Sequence, residues 1–205
     1  MRRVWQWAAA ALLAMGLVTC GDQGSSSAAA APPRTAAPRP AKVTRGEQLF
    51  PPGRLTEVTD YQGSKVDLKQ FQGRIVVLNF WATWCGPCRF EVPHLVELRQ
   101  RYKPDQVAIL SASVDQGELA QLKPLLTRFV AQTGINYPVL LDPRFELLRQ
   151  FYRGDMNALG VPLTYVFDRE GKVYRTHNGV PQGPDGQPDP GGILGREIDA
   201  LLQEK

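Results

Sequence analysis

An α/β fold, a central mixed sheet flanked by helices, is what this sequence predicts, and three observations predict it. The run Ile75 to Trp81 is apolar, β-branched and aromatic, with almost no polar break, which is the pattern of a parallel strand buried on both faces, and Gln106 to Val114 reads as a second buried strand. Each run is followed by a stretch with apolar residues at helical spacing. Near the C-terminus, Leu163 to Asp168 and Lys172 to Thr176 flank the turn Arg169-Glu170-Gly171, so the second segment returns antiparallel and the sheet is mixed.

Taken in order, the chain begins with Met1-Arg2-Arg3 and an apolar run from Ala8 to Val18. A short basic segment followed by an apolar one too short to span a bilayer comfortably is the pattern of a secretory signal, assigned here to residues 1–19. Leu17-Val18-Thr19-Cys20-Gly21 resembles a bacterial lipoprotein cleavage box and makes Cys20 a candidate for lipidation. Thr19 departs from the Gly, Ala or Ser usual before the cysteine, so an uncleaved anchor helix and ordinary cleavage near Ala28 to Ala31 stay open. Residues 20–46 are Ala, Pro, Ser and Gly with scattered Arg. They hold nothing that can bury a core and read as a tether reaching roughly 30–80 Å. Of the formal net charge of +4, the signal carries +2 and the tether +3, which leaves −1 on the folded part, residues 47–205. The basic balance therefore belongs to the leader and tether, and no basic face points to nucleic acid.

In the folded part, Leu55 to Asp60 alternates, Tyr61 to Ser64 is turn chemistry and Lys65 to Leu68 continues an N-terminal hairpin. Asp67 or the nearby Lys69-Gln70 can cap a single turn that leads into Gly73 and the strand Ile75 to Trp81. A helix then runs to about Arg101, with Phe90, Leu95 and Leu98 assigned to one side and a bend expected at Pro93. Gly117 to Thr133 is a second helix, with Leu119, Leu122, Leu126, Phe129 and Val130 at helical spacing and a kink or restart expected at Pro124. Tyr137 to Leu141 is a short strand. Asp142-Pro143 reads as a cap and first-turn proline that start a helix to about Tyr152. A long Pro/Gly loop, Val180 to Gly192, precedes a last helix, Ile193 to Gln203.

The chemistry is concentrated in Cys85-Gly86-Pro87-Cys88, at the junction of the first buried strand and its helix. The spacing lets both sulfurs meet across the first helical turn, where Pro87 is tolerated because its missing N–H is not needed. Cys85 lies at the positive end of the helix dipole, which favours the thiolate. Half of a zinc site is an alternative, but it needs two further ligands at matched spacing, and only Cys20, His94 and His177 remain. An inert structural disulfide is another; such bridges are rarely this short or placed at a helix start.

The stretch FWATWCGPC resembles the active site of the thioredoxin superfamily, and LNFWATWCGPCRFEVPHL is similar to its TlpA/ResA-type, membrane-tethered, extracytoplasmic branch. The resemblance covers most of residues 54–204. It implies a thioredoxin-like fold with an N-terminal β-hairpin and an inserted helix–strand segment. It also implies a protein disulfide oxidoreductase without a cofactor. Cys85 would be the nucleophile that forms a mixed disulfide with a client, and Cys88 the resolving thiol. The Gly86-Pro87 dipeptide matches that of thioredoxin, a reductant near about −270 mV, which favours reduction over oxidation. Pro162 matches the cis-proline that thioredoxin-like folds set beside the cysteines, leaving the Val161 backbone free to pair with an extended client. Leu163 departs from the Thr common after that proline. Glu91, three residues past Cys88, shares a helix face with it. TlpA/ResA-type proteins carry a Glu there, and Asn79 stands where thioredoxin has an Asp, which fits Glu91 taking the role of proton acceptor. Trp84 is assigned to the docking surface and Trp81 to the core; His94 is expected to be exposed, and His177 solvated or satisfied in the core.

The implied partners are disulfide- or dithiol-bearing clients, such as apocytochrome c or a copper-site assembly protein, and a membrane thiol transporter that supplies electrons. Two other functions remain in view. A peroxiredoxin-like peroxidase wants a Thr or Ser and a Pro where this chain has Ala82 and Leu78. A copper-binding assembly factor wants a wider cysteine spacing, although His177 is roughly placed for it.

Overall fold

A computed structural model describes residues 49–53 and 55–204. The expected signal, the expected lipidation site Cys20, the whole of the tether and the expected start of the domain at Glu47 lie outside the described residues.

Five strands form the central sheet in the order β5-β4-β3-β6-β7. They are β3 (Ile75–Trp81), β4 (Val107–Ser113), β5 (Val139–Leu141), β6 (Leu163–Phe167) and β7 (Val173–Asn178). β3 pairs parallel with β4, and β4 with β5, while β6 runs antiparallel to both β3 and β7. The central strands β3 and β4 are buried at every residue, the polar Asn79, Ser111 and Ser113 included. A separate hairpin, β1 (Glu57–Thr59) and β2 (Lys65–Asp67), precedes the sheet. Asp67 caps the 3-10 turn Leu68–Phe71 by accepting from the Lys69 N–H.

The sheet divides the core into two layers. Ile75, Val77, Ile109 and Val166 pack against Leu95 and Leu98 of α1 (Gly86–Arg101) and Leu194, Ile198 and Leu201 of α4 (Pro190–Gln203). Val76, Leu78, Phe80 and Leu110 pack against Leu122, Leu126 and Phe129 of α2 (Leu119–Thr133) and Leu148 and Phe151 of α3 (Leu148–Phe151). Gly171 closes the β6–β7 turn at φ +76°, and its carbonyl accepts from the Phe50 N–H; a Cβ there would run into the Phe50 backbone.

Several elements differ from expectation. Phe90 is 49% exposed and does not share the buried stripe of α1, which is Cys88, Glu91, Val92, Leu95 and Leu98. A five-residue step turns about 140° around a helix, so Phe90 and Leu95 point apart; the Phe90 ring lies instead 5.4 Å from the His94 ring. His94 is half-buried rather than exposed. Neither Pro93 nor Pro124 breaks its helix. Pro124 costs α2 one hydrogen bond, but Leu122 before it and Leu126 and Phe129 after it are all buried in the core, and the helix does not restart there. α4 starts three residues early, because Asp189 accepts from the Gly192 N–H and Pro190 occupies the first turn.

The helix assigned from Pro143 is also shorter. Phe145 has φ +58°, a left-handed conformation that no right-handed helix carries through, so α3 begins only at Leu148. Asp142 still serves as its cap from a distance. Its two carboxylate oxygens accept from the Leu147 N–H (3.0 Å) and the Leu148 N–H (2.8 Å). Asp142→Ala, which strands two buried donors, is expected to destabilise the fold by about 2 kcal/mol and to lower the thermal midpoint by about 4–8 °C, read by circular dichroism. A midpoint equal to wild type would show that the cap carries no weight.

Candidate redox site

β3 ends at Trp81, and α1 opens five residues later with Cys85 as its N-cap. A helix start leaves its first N–H groups without intrahelical partners. Here the Cys85 sulfur accepts the Cys88 N–H at 3.1 Å, while Gly86 and Pro87 form the first turn. Cys85 and Cys88 are joined by a disulfide. Cys85 is 4% exposed and Cys88 1%, so Cys85 is the outer sulfur.

The loop carrying Cys85 is fastened from beneath. Buried Asp115, just past β4, accepts from the Thr83 N–H (2.9 Å), the Thr83 hydroxyl (2.7 Å) and the Ser113 hydroxyl (2.8 Å). Arg89 on α1 donates to the Thr83 carbonyl through Nε (3.1 Å) and Nη2 (2.9 Å), with its guanidinium over the Phe129 ring. Trp84, held on this loop, is 71% exposed beside the sulfurs, and Trp81 is wholly buried.

Across from the cysteines, the Val161–Pro162 bond is cis, and the Val161 carbonyl oxygen lies 3.4 Å from the Cys85 sulfur. A disulfide sulfur has no proton to donate, so in this state the approach is a contact; a Cys85 thiol could donate across it. An apolar cleft of about 430 Å³ runs alongside, lined by Trp84, Leu125, Phe145, Met156, Leu159 and Val161 among others. Phe145, Met156 and Leu159 come from the segment between β5 and β6, and sequence reasoning assigned none of them to the site.

Glu91 is 1% exposed. Its carboxylate accepts from Asn79 Nδ2 on β3 (3.1 Å) and from the Thr164 hydroxyl on β6 (3.1 Å), and Asn79 also donates to the Thr164 oxygen (2.9 Å). Burial raises the Glu91 pKa from its ordinary 4.5 to about 7, and the hydrogen bonds from Thr164 and Asn79 hold it back from rising further. A carboxyl poised near neutrality, one helical turn past Cys88, is suited to taking and returning a proton. Thr164, Asp115 and Arg89 were missed from the sequence. Thr164 had left a trace there, as the lone polar residue in an apolar strand, just as Asn79 is.

The AhpC/TSA family matches residues 51–176. The thiol-disulfide oxidoreductase ResA of Bacillus thuringiensis subsp. konkukian is 34% identical over 122 residues, which cover 60% of this chain and 65% of that protein. ResA of Bacillus subtilis is 32% identical over 121 residues, 59% of this chain and 62% of that one. The chain thus spans just under two thirds of the length of these curated relatives. A solved thiol:disulfide interchange protein of the thioredoxin family from Chlorobium tepidum superposes with a TM-score of 0.58 at 24% identity, covering 71% of this chain and 92% of that chain, and shares the thioredoxin-like fold.

The raised pKa of Glu91 makes stability depend on pH. A proton held more tightly in the folded chain than in the unfolded one supports the fold below pH 4.5, and that support is lost as the pH rises to about 7. Glu91→Gln cannot ionise, so relative to wild type it should gain on the order of 3 kcal/mol between low pH and pH 8, measured by denaturant unfolding. Parallel stability curves for the two proteins would show that Glu91 ionises as it would in water.

Proposed function

This chain belongs to the AhpC/TSA family, and we propose that it is a thiol–disulfide oxidoreductase that reduces disulfides of client proteins through Cys85 and Cys88. The observation that carries this reading is the Cys85–Cys88 bond at the start of α1, one helical turn from a buried carboxyl whose pKa stands near 7.

In this reading the reduced pair works in two steps. Cys85, the outer sulfur, attacks the client disulfide as a thiolate, and the helix N-terminus and the Cys88 N–H stabilise its charge. Cys88 then attacks Cys85, restoring the internal bond and releasing the client as a thiol. Glu91 accepts the Cys88 proton. The client backbone pairs with Val161 beside Pro162, and its apolar side chains enter the cleft next to Trp84.

The place of action belongs to the same proposal. The leader and tether, residues 1–46, would carry the domain to the extracytoplasmic side of a membrane and hold it there by a lipid on Cys20 or by an N-terminal anchor. Among the described residues, no helix is long and apolar enough to cross a membrane. Electrons would come from a membrane thiol transporter, because an oxidising compartment leaves the pair closed. Cytochrome c maturation and copper-site assembly are the client pathways that the family resemblance favours.

A peroxiredoxin-like peroxidase is the second reading, and the family description is what favours it. Against it, the residue three positions before Cys85 is the buried Ala82, and the one four positions earlier is Leu78, inside β3. Neither supplies the hydroxyl or the proline that this chemistry calls for.

Reduced wild-type protein is expected to reduce insulin disulfides and to leave hydrogen peroxide largely unconsumed; the reverse pattern would select the peroxidase. Cys85→Ser should abolish insulin reduction. Cys88→Ala should accumulate dithiothreitol-sensitive adducts with clients on non-reducing gels, and the absence of any adduct would count against the two-step mechanism. For the tether, metabolic labelling with a palmitate analogue should mark wild type and not Cys20→Ala; label that survives the substitution rules out that anchor.

A further inference from the structure

A proton taken up by Glu91 has to leave again, and Glu91 itself is sealed from solvent at 1% exposure. The sheet register suggests the way out. β6 and β7 pair with Thr164 opposite His177, and directly opposed residues share a face of the sheet. Thr164 donates to Glu91, so His177 stands on the Glu91 side. There α4 covers it: His177 Nε2 lies 2.9 Å from Glu197 Oε2, with side-chain exposures of 15% and 13%. Arg175, two residues earlier on the same face of β7, reaches Glu197 Oε1 at 3.4 Å and is 58% exposed. From Glu91 through Thr164 to His177 and Glu197, the polar groups run outward to the rim.

In the other direction the same row ends blind. Asn79 pairs with Ser111 on β4, which is 0% exposed, and Ser111 with the buried, apolar Val139 on β5, while the Tyr137 side chain, two residues before Val139, is 6% exposed. Neither hydroxyl meets a hydrogen-bonding partner among the described residues. Burial, with the charge of Glu91, also pushes the Tyr137 phenol up, so it does not ionise to carry a proton away.

We propose that the His177–Glu197 pair is the outlet through which Glu91 exchanges its proton with solvent. The inference rests on the thiol–disulfide reading above. In the resolving step Cys88 passes its thiol proton to the Glu91 carboxylate, and the Cys88 thiolate attacks the Cys85 sulfur. The Cys85–client S–S bond breaks as the Cys85–Cys88 bond forms, and the client sulfur leaves with the electron pair and is protonated from solvent. The dithiol loses two electrons, and the client disulfide gains them. Glu91 then returns its proton by way of Thr164.

His177 is built to receive it. Glu197 faces Nε2, and in the tautomer that places the proton on Nε2, Nδ1 is the nitrogen left to accept. Cross-strand neighbours stand about 4.5–5.5 Å apart at Cβ, a gap that one water or a turned hydroxyl bridges. The charged and titratable groups around the outlet are Glu197 from α4, Arg175 from β7 and Glu91 from α1. His94, also on α1, lies against Gly191 at the start of α4 and pairs with Glu97. His177 acts through Thr164 and Glu91 and is a positioning residue.

The test is multiple-turnover reduction of insulin by the full chain, kept reduced by excess dithiothreitol, from pH 5 to 9, because the outlet acts only after the resolving attack and so limits repeated cycles. His177→Ala and Glu197→Gln are expected to slow the reaction about tenfold near pH 7 and to shift its pH profile, as loss of a proton-transfer partner does. Alkylation of Cys85 by iodoacetamide should keep its wild-type rate. Added free imidazole should restore most of the lost rate in His177→Ala, which repair of a merely structural defect would not do. The outlet is overturned if both variants keep the wild-type pH profile, or if the loss in His177→Ala ignores imidazole. Failure of wild type itself to reduce insulin would instead overturn the functional reading on which the outlet rests.

Discussion

A helix that begins against a buried strand must find partners for its first N–H groups, and in this chain a sulfur is among them. Cys85 caps α1 by accepting the Cys88 N–H, so the capping contact and the redox pair use the same two residues. Whatever fixes the start of α1 therefore also fixes the sulfurs. β3 does so from one side, since burial of all seven of its residues leaves the strand no freedom to slide. Asp115 does so from the other. Its carboxylate takes three donors from Thr83 and Ser113, tying the loop before Cys85 to the end of β4. Arg89 closes the frame by bonding back from α1 to the Thr83 carbonyl. A loop held at this many points presents Trp84 and Cys85 in one arrangement, so a client of the proposed kind would find little ordering left to do.

Much of this arrangement was legible in the chain, because the signals were local. The buried strands were read from composition, and the cysteine pair, its proline and the helix that follows from spacing alone. Glu91 follows from counting one turn together with the resemblance to TlpA/ResA-type proteins. The rest depended on register, which a single sequence does not display. Thr164 faces Glu91 only because β6 lies antiparallel beside β3 with Asn79 opposite Thr164. Asp115 reaches Thr83 across 32 positions, and the cleft takes Phe145, Met156 and Leu159 from a segment whose path no periodicity announces. The errors were local too. Asp189-Pro190 is the same cap-and-proline pair read at Asp142-Pro143, yet the first starts a helix at once and the second does not. A left-handed Phe145 decides the difference, and the residue type gives no warning of it.

The layer between the sheet and α1 carries a tension that the fold could have avoided. One row on that face is aliphatic, Val77 beside Ile109 and Val166. The next row, two residues along each strand toward the cysteines, is Asn79, Ser111 and Thr164, with the Glu91 carboxyl over it. Continuing the aliphatic row would have been the more stable choice, since a buried ionisable group and unpaired hydroxyls each cost more than well-packed hydrocarbon of similar volume. Stability alone therefore gives no reason for the change of character. Its position gives one. The polar row sits at the end of the strands nearest Cys88, where, in the mechanism proposed above, a thiol loses a proton inside the protein. Asn79 and Thr164 hold the carboxyl firmly enough to fix its place without satisfying it so fully that it stays ionised at neutral pH. More donors would lower its affinity for a proton, and fewer would leave it protonated throughout. The two that are present leave it near the midpoint, where a group can both accept and release.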